Sequence, residues 1–222
     1  LVVIDGPDYF HTVMNLDVCA SATNSRTRFS VTPENTGRFG SGFYGHRIYA
    51  AYPHLINSDY IFFLDSDNWL EPNHVSSLVD LCEKNNYSWA FSLRNIYTKD
   101  EKFLDQDCCE SLGIWPIFWS LDLGIEKQFL VDTSTYCFKR EWLIQYCNHW
   151  HSGWGGDRRF FSIIKNATTA YGTTGLHTMN YRLDSKPEKK YGSLDFFKHG
   201  NEIVKKKYGG YPWYPLEMEN RK

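Results

Sequence analysis

Short apolar runs predict the strands in the first part of the chain. Residues 1–4 are apolar and end at Asp5, and residues 60–64, with the sequence YIFFL, form a second continuous run. A short run that is apolar at every position is typical of a central strand with helices packed on both faces. Residues 28–33 alternate between apolar and polar side chains, which predicts a further short strand.

Segments with apolar residues three or four positions apart predict helices between these strands. Residues 8–22 have mixed helical spacing, and Pro72 is well placed for the first turn of a helix whose apolar side continues to Cys82. Residues 88–97 and 129–140 predict two more strands, and a helix is expected to begin at the end of the second.

The final helix has the clearest predicted boundaries. Ser193 is a suitable N-cap, Asp195 lies in the first turn, and Gly209 can adopt the left-handed conformation that ends a helix. Apolar residues along one side and basic residues in the last turn complete the pattern, at Phe196, Phe197, Ile203 and Val204 and at 205–207.

The alternation of strands and helices predicts an α/β fold. We expect a mostly parallel central sheet with helices on both faces. A length of 222 residues and a hydrophobic content of 42% fit one domain, 1–222, with a substantial core.

Charge and hydropathy exclude several classes of function. The chain has 24 Lys and Arg against 26 Asp and Glu, a net charge of −2, so no nucleic-acid partner is expected. No apolar run reaches the roughly 18 residues that a membrane span needs, so we expect no transmembrane segment in this chain and a cytoplasmic location. A membrane-tethered or virus-encoded parent protein remains an alternative.

The six cysteines indicate reduced thiols rather than a disulfide framework. They are scattered along the chain without a CxxC pair, and a domain of this size does not need disulfides. Cys147, His149 and His151 suggest zinc as a less favoured alternative, because a fourth ligand at suitable spacing is missing.

The acidic segment after residues 60–64 is the first candidate for chemistry. Asp65 and Asp67 are two residues apart, so in extended backbone their carboxylates lie on one side and repel unless a cation lies between them. Ligands of open α/β sheets bind beyond the carboxyl ends of strands, where this segment is expected. Hard oxygen ligands favour Mg²⁺ or Mn²⁺ and a diphosphate substrate. The alternative is a purely structural turn, since Asp, Ser and Asn side chains also bond to their own backbone.

The order of several motifs resembles that of glycosyltransferases with the GT-A fold, especially the family 2-like group. DYIFFLDSDNW resembles the DxD segment that ends a central strand and holds a divalent metal, and VVIDGPDY resembles the second strand of that fold. ENTGRFGSGFYGHR resembles its glycine-bearing segment, and SGWGGDRRFF resembles the loop that supplies the acidic catalytic residue. The resemblance runs from Leu1 to about Tyr181. The first strand of the family has no counterpart before Leu1, so we expect that strand to be missing.

The resemblance implies roles for particular residues. Asp67 would hold the metal, and His177 would complete the metal site. Asp65 would form a hydrogen bond to a water on the metal or to the ribose. Asp157 would be the catalytic base, with an N-cap of the helix through 160–164 as the structural alternative. The candidate donor-binding residues are Asp5, Arg38, Arg47, Asp65 and Arg158, and the candidate acceptor-binding residues are Trp154 and Asp132.

Further acidic residues near several aromatic side chains have two interpretations. Asp105, Asp107 and Glu110, like Asp132, either accept hydrogen bonds from acceptor hydroxyls or serve as surface and capping residues.

The sequence thus predicts a metal-dependent glycosyltransferase with Mn²⁺ or Mg²⁺ as cofactor. Its donor would be a nucleotide-diphosphate sugar, most simply a UDP-sugar, and its acceptor a hydroxyl on a glycan or other molecule. Nucleotide and metal would bind at about 1–87 and the acceptor at about 88–190, followed by a C-terminal helix and tail at 191–222. The alternatives are a sugar nucleotidyltransferase, which would normally need a basic glycine-rich phosphate loop, and a non-catalytic carbohydrate-binding domain.

Overall fold

The computed structural model of the protein describes residues 1–10, 27–37, 45–118, 127–151, 153, 155–183, 193–209 and 211. The chain divides into two compact units, one formed by Leu1–Asn57 with Ile144–Gly156 and the other by Ser58–Leu143 with Asp157–Lys222. Within the described ranges, no helix combines the length and apolar character that a bilayer span requires.

The first unit contains a two-stranded parallel sheet. Strand β1 (Val2–Ile4) pairs with β2 (Phe29–Val31), which confirms the two strands predicted at 1–4 and 28–33. Helix α1 (His46–Ala51) follows later in the chain. Most of the helix predicted at 8–22 lies outside the described residues. The described part of this unit also has 3-10 turns at Pro7–Tyr9, Tyr52–His54 and Cys147–Trp150.

The described residues of the second unit form a six-stranded mixed sheet. Its strand order is β3-β7-β5-β8-β4, and β6 pairs with β5 beside this path. The β5–β8 pair is parallel, whereas the β3–β7, β5–β7, β5–β6 and β4–β8 pairs are antiparallel. The strands are β3 (Tyr60–Phe62), β4 (Trp69–Leu70), β5 (Trp89–Tyr97), β6 (Phe103–Gln106), β7 (Tyr136–Lys139) and β8 (Tyr171–Arg182).

The prediction of a mostly parallel sheet is therefore wrong. Strand β5 returns as β6 after a short connection, and a short connection between paired strands gives antiparallel pairing. Strand β7 lies between β3 and β5 and runs antiparallel to both. The YIFFL strand, predicted to be central, becomes β3 at one end of the described strand order. The strand predicted at 129–140 is shorter, because a 3-10 turn occupies Thr133–Thr135.

Helices cover both faces of this sheet, as predicted. Along β7, Cys137 packs in a buried cluster with Cys82 of helix α2. Because neighbouring side chains of a strand point to opposite faces, Tyr136 lies on the other side, where its ring meets that of Phe160 edge-on at 6.2 Å. Phe160 belongs to α4, so the sheet fixes the position of that helix. Among the described residues of this unit, the helices are α2 (His74–Asn85), α3 (Arg140–Leu143), α4 (Gly156–Ala167) and α5 (Leu194–Tyr208).

Helix α5 has the predicted boundaries. The Ser193 side chain accepts a hydrogen bond from the Phe196 N–H at 3.2 Å, and Gly209 ends the helix with φ of 72°. The buried side of α5 packs on a core cluster that includes Ile96 of β5. Gly200 lies at this contact, where the ring of Phe118 leaves no space for a side chain.

Gly200→Ala tests how closely α5 packs. A Cβ at this position would lie 2.6 Å from ring carbons of Phe118 and 2.9 Å from the Cys109 sulfur. We expect the free energy of unfolding, measured with urea, to fall by about 1–3 kcal/mol because of this overlap, despite the higher helix propensity of alanine. The matched control is Lys198→Ala at an exposed position of the same helix, with an expected change below about 0.5 kcal/mol. Equal stability of Gly200→Ala and the control would contradict close packing.

Candidate active site

The acidic turn after β3 is held by two neighbouring segments. The Asn68 N–H donates to the Asp65 carbonyl at 3.1 Å, and the Asp65 N–H donates to the Ser134 hydroxyl at 3.2 Å. The side chain of Asn68 is buried and accepts from the Arg182 N–H of β8 at 3.1 Å. Asp65 is half-buried and Asp67 is exposed. The backbone of this turn is thus fixed while the Asp67 side chain stays accessible.

A buried arginine on β5 joins three carboxylates. Arg94, whose side chain is 3% exposed, contacts Asp107 through Nε at 2.6 Å, Asp132 through Nη1 at 2.6 Å and Glu110 through Nη2. Burial disfavours its charge, but the three carboxylates outweigh this effect and raise the pKa of Arg94 above its usual value. The guanidinium also lies 4.7 Å from the centre of the Tyr181 ring. We name Arg94 with these three acids the Arg94 cluster.

Asp107 also caps the turn that follows β6. Its Oδ1 accepts from the backbone N–H groups of Cys109 at 2.9 Å and Glu110 at 3.2 Å, and its Oδ2 accepts from that of Ser111 at 3.2 Å. Burial raises the pKa of Asp107, but Arg94 and these hydrogen bonds outweigh burial, so the pKa lies below its usual value. The capping interpretation of this residue is thereby confirmed.

Both carboxylate oxygens of Asp132 have protein partners. Oδ2 pairs with Arg94, and Oδ1 accepts from the Ser134 N–H at 2.9 Å, which caps the 3-10 turn before β7. Burial raises the pKa of Asp132, the charge of Asp157 adds to this effect, and Arg94 opposes it. The side chain is 11% exposed. Contact of Asp132 with an acceptor stays a prediction.

Asp157 lies in the first turn of α4, where the positive end of the helix dipole favours a carboxylate. Its Oδ1 accepts from the Arg158 N–H at 2.8 Å. The Arg158 guanidinium is 3.7 Å from the same carboxylate and 3.6 Å from Glu110. Because Asp157 also acts on the pKa of Asp132, it is an electrostatic neighbour of the Arg94 cluster. The helix itself begins one residue earlier, at Gly156.

The charge of Asp67, in the acidic turn, affects the pKa of Tyr181, whose ring lies beside Arg94. Burial raises the pKa of Tyr181, Arg94 opposes this shift, and the carboxylates of Asp132, Glu110 and Asp67 add to it. Asp67 and the Arg94 cluster are therefore both within electrostatic range of one tyrosine on β8.

His177 on β8 has neighbours of its own. Its Nε2 lies 3.1 Å from the hydroxyl of Tyr211, which donates to the side chain of Gln106 at 3.0 Å. Burial lowers the pKa of His177, and the charge of Asp107 opposes this shift. Across the part of the chain that the structure describes, no three His, Cys, Asp or Glu side chains are grouped to hold a metal ion. The described residues therefore do not bring Asp65, Asp67 and His177 together as one site.

Two predicted donor-binding residues meet in the first unit. The Asp5 carboxylate accepts from the Thr36 N–H and hydroxyl, both at 2.8 Å, and Arg47 donates to the carbonyl of the same threonine. Both side chains thus hold the segment that follows β2. The candidates Arg38 and Trp154 lie outside the described residues.

Arg94 was not predicted as a site residue, although the sequence contains a signal for it. An arginine inside a mostly apolar strand needs partners if that strand is buried, because an unpaired buried charge is very costly. Asp107, Glu110 and Asp132 were available for this role, but their pairing with one arginine depends on tertiary structure.

Comparisons with known proteins support the fold. No family model matches the sequence, and no curated protein matches it. Among solved structures, S. aureus TarS 1-349 in complex with UDP matches with a TM-score of 0.54 and 12% sequence identity, over 91% of this chain and 54% of that chain. The chain thus spans about half the length of the TarS structure. This likeness shows that the protein shares the fold of that part of the TarS structure.

Arg94→Met tests whether the Arg94 cluster stabilises the fold. Removing the guanidinium leaves three carboxylates without their shared cation, so we expect a loss of roughly 3–5 kcal/mol in urea unfolding at pH 7. The matched control is Arg182→Met, which removes an exposed pair with Glu101 at 3.1 Å and should cost at most about 1 kcal/mol. Similar losses for the two variants would contradict a structural role of the cluster.

His74, at the start of α2, makes stability depend on pH. It is fully buried, with Nδ1 2.9 Å from the Thr178 hydroxyl, and burial lowers its pKa from 6.5 to about 4. Between about pH 6.5 and about pH 4, His74 is protonated in the unfolded chain but neutral in the folded protein. The free energy of unfolding should therefore fall as the pH is lowered across this range. Urea unfolding across this pH range should show a shallower fall for His74→Gln than for the wild type. Parallel curves would contradict the prediction.

Proposed function

We propose that the protein is a glycosyltransferase that uses a nucleotide-sugar donor. The observation that carries the proposal is that the acidic turn and Asp157 are both connected to the Arg94 cluster, the turn through Ser134 and Asp132, and Asp157 through Arg158 and Glu110. The charges of Asp67 and of the Arg94 cluster both affect the pKa of Tyr181. The charge of Asp157 affects the pKa of Asp132, which belongs to the cluster. A fold shared with a UDP-bound protein supports the same proposal.

On the donor side, the acidic turn would bind the diphosphate through a divalent metal. The carboxylates of Asp65 and Asp67 are the hard oxygen ligands that Mn²⁺ or Mg²⁺ prefers, and the exposure of Asp67 leaves it accessible to a ligand. The metal would compensate the charge of the departing diphosphate. The backbone contacts to Ser134 and Arg182 would orient the turn. A UDP-sugar is the proposed donor because TarS was solved with UDP.

On the acceptor side, Asp157 would take the proton of the acceptor hydroxyl. In a direct displacement, the acceptor oxygen forms a bond to the anomeric carbon while the bond from that carbon to the diphosphate oxygen breaks, and the proton passes to the carboxylate. Asp157 suits this role because it is half-buried, fixed by the Arg158 N–H and placed in the first turn of a helix that packs on the sheet.

Calorimetric titration with UDP tests the donor site. We expect UDP to bind in the presence of Mn²⁺ and to bind more weakly in chelator. In Asp67→Ala, the affinity for UDP in Mn²⁺ should fall at least about tenfold, because the diphosphate then loses its charge compensation. The matched control is Asp100→Ala, an exposed acidic residue on the β5–β6 connection, which should bind UDP as the wild type does.

The outcomes of the titration separate the parts of the proposal. Binding that is insensitive to both chelator and Asp67→Ala would contradict the metal site but not the nucleotide site. No binding of UDP by the folded wild type would contradict the proposed donor.

A further inference from the structure

We propose that Glu110 is a positioning residue that acts through Arg158 to keep Asp157 available as a base. The inference rests on the proposed function, because it assigns to Glu110 an effect on the reaction that Asp157 would catalyse. Glu110 is the second member of a series of alternating charges that runs from the buried Arg94 through Glu110 and Arg158 to Asp157.

The backbone of Glu110 is held by a hydrogen bond to Asp107. The residue is buried, and its backbone N–H donates to Asp107 Oδ1 at 3.2 Å in the capped turn after β6. Asp107 is itself paired with Arg94. The carboxylate of Glu110 therefore starts from a fixed backbone position next to the sheet.

The two oxygens of Glu110 serve two different arginines. Oε2 accepts from Arg94 Nη2, and Oε1 lies 3.6 Å from Arg158 Nη2. Arg94 is almost completely buried, whereas the side chain of Arg158 is 17% exposed. Glu110 thus links a fixed guanidinium on β5 to a more accessible one on α4.

Arg158 lies between Glu110 and Asp157. Its Nη2 is 3.6 Å from Glu110 and its Nη1 is 3.7 Å from Asp157. Close charge-assisted hydrogen bonds are about 2.7–2.9 Å long, so Arg158 makes a close ion pair with neither carboxylate. The charge of Glu110 draws the guanidinium inward and limits how closely it approaches Asp157.

Removing the charge of Glu110 would change this balance. The attraction of Arg158 to Glu110 would weaken while its attraction to Asp157 remained, so the guanidinium could approach Asp157 closely. A close arginine partner stabilises the charged form of a carboxylate and occupies oxygens that must accept the proton, so Asp157 would become a weaker base. Binding of the donor diphosphate at the acidic turn would not change, because this turn keeps its own contacts to Ser134 and Arg182.

Glu110→Gln is the central variant, because glutamine keeps the volume and removes the charge. The activity readout is UDP release from UDP-glucose and UDP-N-acetylglucosamine, with Mn²⁺ present and water as the acceptor, beside the Kd for UDP. We expect kcat to fall at least about tenfold, as for a misplaced catalytic group, while the Kd for UDP stays within about twofold. The matched control is Glu101→Gln, which breaks the exposed Glu101–Arg182 pair and should leave both quantities unchanged.

A double-mutant cycle separates positioning from a general effect on folding. Arg158→Gln removes the intermediary, so Glu110→Gln should lower kcat by less than about twofold in that background. An equal fall in both backgrounds would overturn the inference. Arg158→Gln alone is a second test that does not depend on the folding of Glu110→Gln, because Arg158 is partly exposed. With no guanidinium to approach Asp157, its kcat should stay within about twofold of the wild-type value, and a fall of about tenfold would overturn the inference.

A crystal structure of Glu110→Gln provides a readout that is independent of turnover. We expect the Arg158 guanidinium to move onto the Asp157 carboxylate, to about 3 Å. An unchanged position of Arg158 would overturn the inference. If the wild type neither binds UDP nor releases it from either donor, the proposed function fails, and this structure still decides whether Glu110 controls the position of Arg158.

Discussion

The burial of Arg94 among three carboxylates is the interaction on which the second unit depends. A guanidinium inside a sheet is tolerated only when its charge and its N–H groups are matched, because desolvation of an unmatched charge is very costly. The matching acids come from two segments, Asp107 and Glu110 from the turn after β6 and Asp132 from the segment before β7. One side chain therefore holds two connections together, in addition to the hydrogen bond from the Asp132 N–H to the Ser111 hydroxyl.

The same connections carry the contacts of the candidate active site. The turn capped by Asp132 offers the Ser134 hydroxyl to the acidic turn after β3, and Glu110 reaches Arg158 at the start of α4. Exposure rises outward through the acids, from 1% for Asp107 to 11% for Asp132 and 30% for Asp157. Among these six side chains, two arginines face four carboxylates, so their summed formal charge is negative.

Structural features that depend on neighbouring residues are predicted from the sequence, whereas features that depend on contacts between distant segments are not. The caps of α5, Ser193 and Gly209, are local signals, and both are confirmed. The direction of the sheet is not local, because it depends on β7 inserting between β3 and β5. Arg94 was missed for the same reason, since its partners lie 13, 16 and 38 residues away in the chain. The acidic turn was found because its two carboxylates and the preceding strand form one short motif.

Likeness of fold and likeness of chemistry are separate arguments for this protein. At 12% identity, the match to TarS concerns the path of the backbone, and one fold can support many functions. What the fold supplies is a place, the end of β3 and the start of α4, where side chains from different segments can act together. The case for sugar transfer therefore depends on Asp67 and Asp157 at those two places. It depends equally on the charges beside Asp157, since a carboxylate is an effective base only when its neighbours leave its oxygens available.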